Sequence, residues 1–282
     1  MRFLFFWLFA SVVLISCKKK DVTADVSAVT INNVAYGNDP KQAMDIFLPA
    51  NRSLETTPFI ILIHGGGWTS GDRVDFRPLV DTIKKRLPGY AIFNISYRLA
   101  SGDQNLFPTQ ENDVKAALGS ILSKLTEYRI SDRYALIGAS AGGHLALLNA
   151  YKVENGTQAK AVVSFFGPTE LKEFYNAPPN IYVQPLLQEV TGGTPLTKPS
   201  IYASSSPLQF VKSGSCPTLI LHGGADIVVP PSQSDLLRDR LSLLNVPHQY
   251  VFYPGKGHGD WDPATYQDAF QQLQLFLKLH LP

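Results

Sequence analysis

Cysteine is nearly absent from this sequence, with only Cys17 and Cys216 among 282 residues. Charge is sparse as well: Asp, Glu, Lys and Arg make up 17% of the chain, below the usual share of about a quarter. The formal net charge of +2 and the lack of any basic stripe give no electrostatic case for a nucleic-acid partner. There is no H-x-x-x-H pair and no Cys/His cluster, so neither a metal nor another cofactor is expected. No internal repeat and no low-complexity stretch occurs, and nothing in the composition points to disorder. The one long apolar run, Phe3 to Ile15, is too short for a comfortable membrane span. What is present, 45% hydrophobic residues over this length, suits one large α/β domain with a sizeable core.

The apolar run follows Arg2 and has the length of a signal-peptide core. It ends in Leu14-Ile15-Ser16-Cys17, which resembles a bacterial lipobox. The resemblance implies cleavage after residues 1–16 and lipid on Cys17, the alternatives being an ordinary secretory signal or a membrane-anchor helix. Residues 17–27, opening with Cys17-Lys18-Lys19-Lys20-Asp21, then form a tether, and residues 28–282 form the folded domain. The expected location is a bacterial cell envelope, on the periplasmic side or the cell surface, with the membrane reached through the N-terminal lipid. If Cys17 carries lipid, Cys216 has no partner, so no disulfide is expected and Cys216 reads as a small buried hydrophobe.

Along the domain, Val29 to Tyr36 and Met44 to Leu48 alternate like strands around the turn Gly37-Asn38-Asp39-Pro40 and predict an opening hairpin. Continuous apolar runs at Phe59 to Ile63, Tyr90 to Ile95, Tyr134 to Ile137, Ala161 to Phe166 and Leu219 to Leu221 predict strands buried on both faces. Gln249 to Tyr253 is the last strand. Helical spacing marks Val80 to Leu87, Val114 to Leu125, His144 to Tyr151, Leu236 to Leu244 and Tyr266 to Leu277. Strands alternating with helices predict a mostly parallel central sheet with helices on both faces. Between the fourth and fifth buried runs, about residues 167–216 are rich in proline, at Pro178, Pro179, Pro185, Pro195, Pro199 and Pro207. An insertion of that length suits a lid or binding loop, or else a decorated surface connection.

Gly138-Ala139-Ser140-Ala141-Gly142 lies between an apolar strand and a helix. A sharp strand-to-helix turn lifts a Ser hydroxyl clear of the backbone, as a nucleophile requires. A base must stand beside it. His258, set among glycines in Gly255-Lys256-Gly257-His258-Gly259 after the last strand, is the candidate. Asp226, in a turn after a strand, is the candidate carboxylate to orient that base, and the order Ser, Asp, His supports it. Asp260 and Asp262 are nearer in sequence, but they read as capping residues of the last helix. His64-Gly65-Gly66-Gly67-Trp68 ends another strand, and its glycines let backbone N–H groups approach a substrate. Gly66, Gly67 and Ala141 are the expected oxyanion donors. His64 and His222 are expected to brace loops, and His144 to pack. Trp68, Tyr175 and Tyr182 are candidate substrate contacts, within a wider set of insertion aromatics that includes Phe174, Tyr202 and Phe210.

Together with Tyr97-Arg98-Leu99, Phe107-Pro108, Asp113, Gly143-His144-Leu145-Ala146, Phe166-Gly167-Pro168-Thr169 and Val229-Pro230, these motifs resemble the α/β-hydrolase esterase/lipase family. They are most similar to its bacterial feruloyl and acetyl-xylan esterases. The resemblance implies an α/β-hydrolase fold, Ser140, Asp226 and His258 as triad, and no cofactor. It implies hydrolysis of short acyl esters, acetyl or feruloyl, on a small-molecule or oligosaccharide alcohol. Ala139 stands where the hormone-sensitive-lipase branch has Asp, and no N-terminal helical cap is apparent, which argues against large lipid substrates. Two other readings remain: an amidase or peptidase of the same fold, such as a formamidase, and a non-catalytic envelope binding protein. Oligomeric state is not legible.

Overall fold

The computed structural model describes residues 26–152 and 157–282. The leader at 1–16, the lipidation candidate Cys17 and most of the tether lie outside the described residues. In chain order the elements are β1 (Val29–Ala35), β2 (Ala43–Leu48), β3 (Phe59–Ile63), α1 (Arg77–Arg86), β4 (Ala91–Ile95), α2 (Thr109–Leu122), α3 (Leu125–Tyr128), β5 (Tyr134–Ala139) and α4 (Ala141–Tyr151). There follow β6 (Ala161–Phe165), α5 (Leu171–Asn176), α6 (Val183–Thr191), α7 (Pro199–Ser204), β7 (Thr218–Gly223), α8 (Ser232–Leu243), β8 (His248–Tyr253) and α9 (Pro263–His280).

The strands form one eight-stranded sheet in the order β1-β2-β4-β3-β5-β6-β7-β8. The opening hairpin is antiparallel, and β2 joins β4 antiparallel. From β4 onward every pairing is parallel, with Ile61 of β3 beside Phe93 of β4 and Leu136 of β5. The hairpin is not perfectly regular. Its register shifts between Ile31 and Val34, where Asn33 takes φ 57 and its N–H is held by Asp45 Oδ1 at 2.8 Å.

Side chains of a strand alternate between faces, so the continuous apolar run of β3 feeds two cores at once. Ile61 and Ile63 join Val114, Ala117, Leu145, Leu237 and Leu241 on the face covered by α2, α4 and α8. Ile60 and Leu62 join Val80, Ile83, Leu273 and Leu277 on the face covered by α1 and α9. Asp262 caps α9 by accepting from the amides of Ala264 and Thr265, with Pro263 as first helical residue, as the sequence predicts. Cys216 is buried, and burial pushes its thiol up to about 12. Among the described residues no helix is long and apolar enough to cross a membrane.

Residues 167–216 hold more structure than their prolines suggest. They fold into α5, α6 and α7 and a 3-10 turn at Pro207–Phe210. Pro199 and Pro207 start their elements, and Pro185 is the third residue of α6. In a first turn the proline's missing N–H costs nothing, because that group has no helical acceptor. Val183, Leu187 and Val190 of α6, together with Phe174 and Tyr202, extend the core on the α4 side.

Candidate active site

The ends of four parallel strands converge on one edge of the sheet, where such folds collect their functional loops. At the end of β5, Ser140 takes φ 55 and ψ −124, outside the common regions, and α4 begins at Ala141. Two glycines make this turn possible. A Cβ on Gly138 would lie 2.1 Å from the Gly142 carbonyl oxygen, and one on Gly142 would lie 2.0 Å from that of Ile63. The Ser140 N–H donates to Phe165 O at 2.8 Å, and its carbonyl accepts from His144 N at 3.0 Å, so the strained residue is anchored on both sides.

His258 approaches from the loop after β8. Its Nε2 lies 2.9 Å from Ser140 Oγ, and its Nδ1 lies 2.7 Å from Asp226 Oδ2. The carboxylate takes the proton-bearing Nδ1–H, which leaves Nε2 bare and facing the hydroxyl. Trp261 Nε1–H donates to Gly257 O at 2.8 Å, the Tyr266 hydroxyl donates to Gly259 O, and the Phe166 ring lies 4.5 Å from the imidazole. The loop of glycines is therefore tied at both sides of His258.

Asp226 is buried, and its Oδ1 accepts from Val228 N at 2.8 Å and Val229 N at 2.9 Å. Burial pushes its carboxyl up, but hydrogen bonds from His222, His258 and the Val229 amide outweigh that and hold it well below the usual carboxylate range. His222 braces this loop, as expected, through Val229 O at 2.9 Å. It also reaches the carboxylate itself, with Nε2 3.2 Å from Asp226 Oδ2, while its Nδ1 faces Ser234 Oγ at 2.6 Å. That second role had no signal in sequence beyond a spacing of four residues.

After β3, Gly66, Gly67 and Trp68 take successive positive φ values of 108, 58 and 62. The Gly66 carbonyl turns inward and accepts from Thr69 N and Ser70 N. Among the described residues, the N–H groups of Gly66, Gly67 and Ala141 have no protein acceptor. Ala141 is buried, where a backbone donor without a partner is rare. His64 braces this loop as expected: Nδ1–H donates to Gly65 O at 2.7 Å, and the ring stacks on Tyr97 with centroids 4.3 Å apart.

A cavity of about 210 Å³ opens beside the hydroxyl, lined by Gly67, Trp68, Ser140 and Ala141 from the sheet edge and by Phe174, Tyr182, Val183 and Leu186 from the insertion. Val228 and Val229 of the acid loop close it, and no charged side chain lines it. Asn180 ties the insertion to that loop by donating from Nδ2 to Ile227 O at 2.7 Å, and its Oδ1 accepts from Tyr182 N at 2.8 Å. Trp68 and Tyr182, the candidate contacts, line this cavity. Tyr175 does not line the cavity. Its ring packs edge-on against Tyr202 at 5.9 Å and its hydroxyl accepts from Gln188 at 2.9 Å, so it ties α5 to α6 and α7. Phe174, one residue earlier, takes the place on the wall. Among the described residues, no group of three His, Cys, Asp or Glu side chains is placed to hold a metal ion.

The BD-FAE family model matches residues 44–241, more than half of the chain, in a stretch that includes Ser140 and Asp226 and stops short of His258. The chain belongs to the BD-FAE family. This BD-FAE chain is 27% identical over 239 residues to esterase LipC of Mycobacterium tuberculosis, covering 80% of the chain and 59% of LipC. It is 30% identical over 203 residues to the probable carboxylic ester hydrolase LipM of the same organism, covering 67% of the chain and 46% of LipM. The chain thus spans only about half the length of these relatives. Among solved structures it matches a truncated form of a carbohydrate esterase from gut microbiota with a TM-score of 0.76 at 24% identity, covering 90% and 98% of the two chains. The fold is the α/β-hydrolase fold that the motifs imply.

Proposed function

We propose that this chain is a serine carboxylesterase that acts through an acyl-enzyme on short acyl esters, acetyl or feruloyl, of carbohydrates. The observation that carries this reading is the continuous hydrogen-bonded path from Ser140 through His258 to Asp226, opening on a cavity rimmed by unpaired backbone donors. Ser140 Oγ attacks the ester carbonyl while His258 Nε2 takes its proton. Negative charge develops on the carbonyl oxygen and is accepted by the N–H groups of Gly66, Gly67 and Ala141. His258 returns the proton to the departing alcohol. It then takes one from water, which attacks the acyl-enzyme, and passes it to Ser140 Oγ as that oxygen leaves and the acid is released. Asp226, kept ionised, stabilises the imidazolium that forms twice in this cycle.

The cavity supports the substrate reading. At about 210 Å³ it is smaller than the roughly 300–1,000 Å³ typical of drug-sized ligand sites, and its uncharged walls suit a short acyl group. At its rim Tyr182 is 76% exposed, a platform for the flat face of a sugar or a hydroxycinnamate ring. A panel of acetyl, butyryl, feruloyl and palmitoyl esters with a matched anilide tests the assignment. Acetyl or feruloyl esters of sugars should lead, and palmitate and anilide should trail. A kcat/KM that climbs to palmitate favours a lipase, and preference for the anilide favours an amidase. Absence of any turnover favours a binding protein.

The lipobox resemblance supports a second proposal, that lipid on Cys17 holds the enzyme in the envelope. Cys17→Ser should give a soluble enzyme or an unprocessed precursor. Unchanged detergent partitioning and mass would refute it.

A further inference from the structure

His144 has no part in the chemistry proposed above, yet it is completely buried and bonded in three directions. Its Nε2 lies 2.6 Å from the Ser205 carbonyl, so Nε2 carries the proton and donates it. Its Nδ1 is then bare, and accepts from Trp68 Nε1–H at 3.2 Å. Its backbone N–H donates to Ser140 O at 3.0 Å. One residue on the first turn of α4 therefore joins the serine elbow, the loop after β3 and the insertion.

Trp68 is an unexpected occupant of its position. A bulky residue at φ 62 is uncommon and costs energy that its surroundings must offset. Here Trp68 O accepts from Ala100 N at 2.9 Å, and its ring meets Phe107 edge-on at 5.5 Å and His144 at 5.1 Å. The indole N–H is the polar handle that sets the ring's rotation, and His144 is its acceptor. Trp68 directly follows Gly67 and Gly66, whose N–H groups have no protein partner and no side chain of their own to lock them.

We propose that His144 is a positioning residue that, through Trp68, fixes the direction of the Gly66 and Gly67 amides toward the reacting carbonyl. The proposal rests on the reading that those amides receive the oxyanion. Burial lowers the imidazole to about 4, so His144 stays neutral and keeps its acceptor nitrogen wherever the enzyme works. The Ser205 bond serves to fix the tautomer. Misplacing donors by a fraction of an ångström weakens transition-state stabilisation while leaving substrate binding alone.

Two variants separate the bonds. His144→Asn places Oδ1 near the former Nδ1, keeps an acceptor for Trp68 and gives up Ser205. His144→Gln places an amide N–H near the former Nε2, keeps Ser205 and gives up the acceptor. Trp68→Phe keeps most of the ring and removes the donor. With a short p-nitrophenyl ester, kcat of His144→Gln and of Trp68→Phe should fall about ten- to a hundredfold with KM nearly unchanged. His144→Asn should stay within a few-fold of the parent, and Trp68→Phe combined with His144→Gln should be no worse than either alone. Rates are taken per mole of folded enzyme, with Tm recorded for each. The proposal is overturned if His144→Gln and Trp68→Phe keep full kcat, if His144→Asn is the more damaged, or if losses are confined to Tm. A parent enzyme that turns over no ester overturns the esterase reading and this proposal with it. An active parent with unaffected His144→Gln and Trp68→Phe overturns this proposal alone.

Discussion

At Asp226 burial and hydrogen bonding pull in opposite directions, and the bonds win. Because its folded value lies below the unfolded 3.8, its stabilisation is present above that pH and is lost as the pH falls through it. Asp226→Asn should therefore lower Tm at neutral pH and cost about 10⁴ in kcat, by removing the acceptor that holds the His258 tautomer. Asp262→Asn, at the cap of α9, should lower Tm slightly and leave kcat alone; steady-state kinetics on both variants would expose a reversed assignment. His144 loses stability on acidification as Asp226 does, but the cause is burial, which disfavours its charged form. Its folded value of about 4 lies below the unfolded 6.5, so on acidification the unfolded chain binds the proton first. Stability is full above about 6.5 and is lost as the pH drops toward 4, by about 3 kcal/mol in all. Urea midpoints across that range should show this slope in the parent and less of it in His144→Asn; equal slopes would mean that His144 titrates freely when folded. Asp226 was legible from its place after a strand and from the order of the three residues. His222 was legible only as a loop brace and His144 only as a residue that packs, because their partners Ser234 and Ser205 lie in segments whose return to the site no local pattern announces.

Among the elements, the central strands were readable because a strand covered on both faces must be apolar at every position, as Phe59–Ile63 is. The amphipathic helices α1 and α9 announced themselves by spacing. The insertion did not, since prolines that begin helices look in sequence like prolines that forbid them. Yet Val183, Leu187 and Val190 share one face of α6, and that stripe was the available signal. Leu186 of the same helix closes the cavity against Gly67, where an added Cβ would sit 3.2 Å from its Cδ2. Leu186→Ala should lengthen the cavity and shift the chain-length optimum from acetyl toward butyryl or hexanoyl, with kcat/KM for acetate falling a few-fold. A chain-length series of p-nitrophenyl esters measures this, and an unmoved optimum would place the acyl group elsewhere.

For the molecule as a whole, the sheet brings together side chains that are 118 residues apart in Ser140 and His258, and 32 apart in Asp226 and His258. Parallel strands do this by sending each of their carboxyl ends to the same edge. Continuous apolar strands and their helices were enough to expect that arrangement. The strand order, with β4 between β2 and β3, depends on pairings distant in sequence. The family match reaches residue 241, and His258, named from the sequence by its glycine-flanked loop after the last strand, lies beyond it. Whether Ser140 is the nucleophile of an ester hydrolase is measured by reaction with a fluorophosphonate followed by peptide mass mapping. A single adduct should form on Ser140 and none in Ser140→Ala, and that variant should lose ester turnover by at least about a thousandfold while its Tm is retained. An adduct elsewhere, or turnover that survives Ser140→Ala, would contradict that role for Ser140.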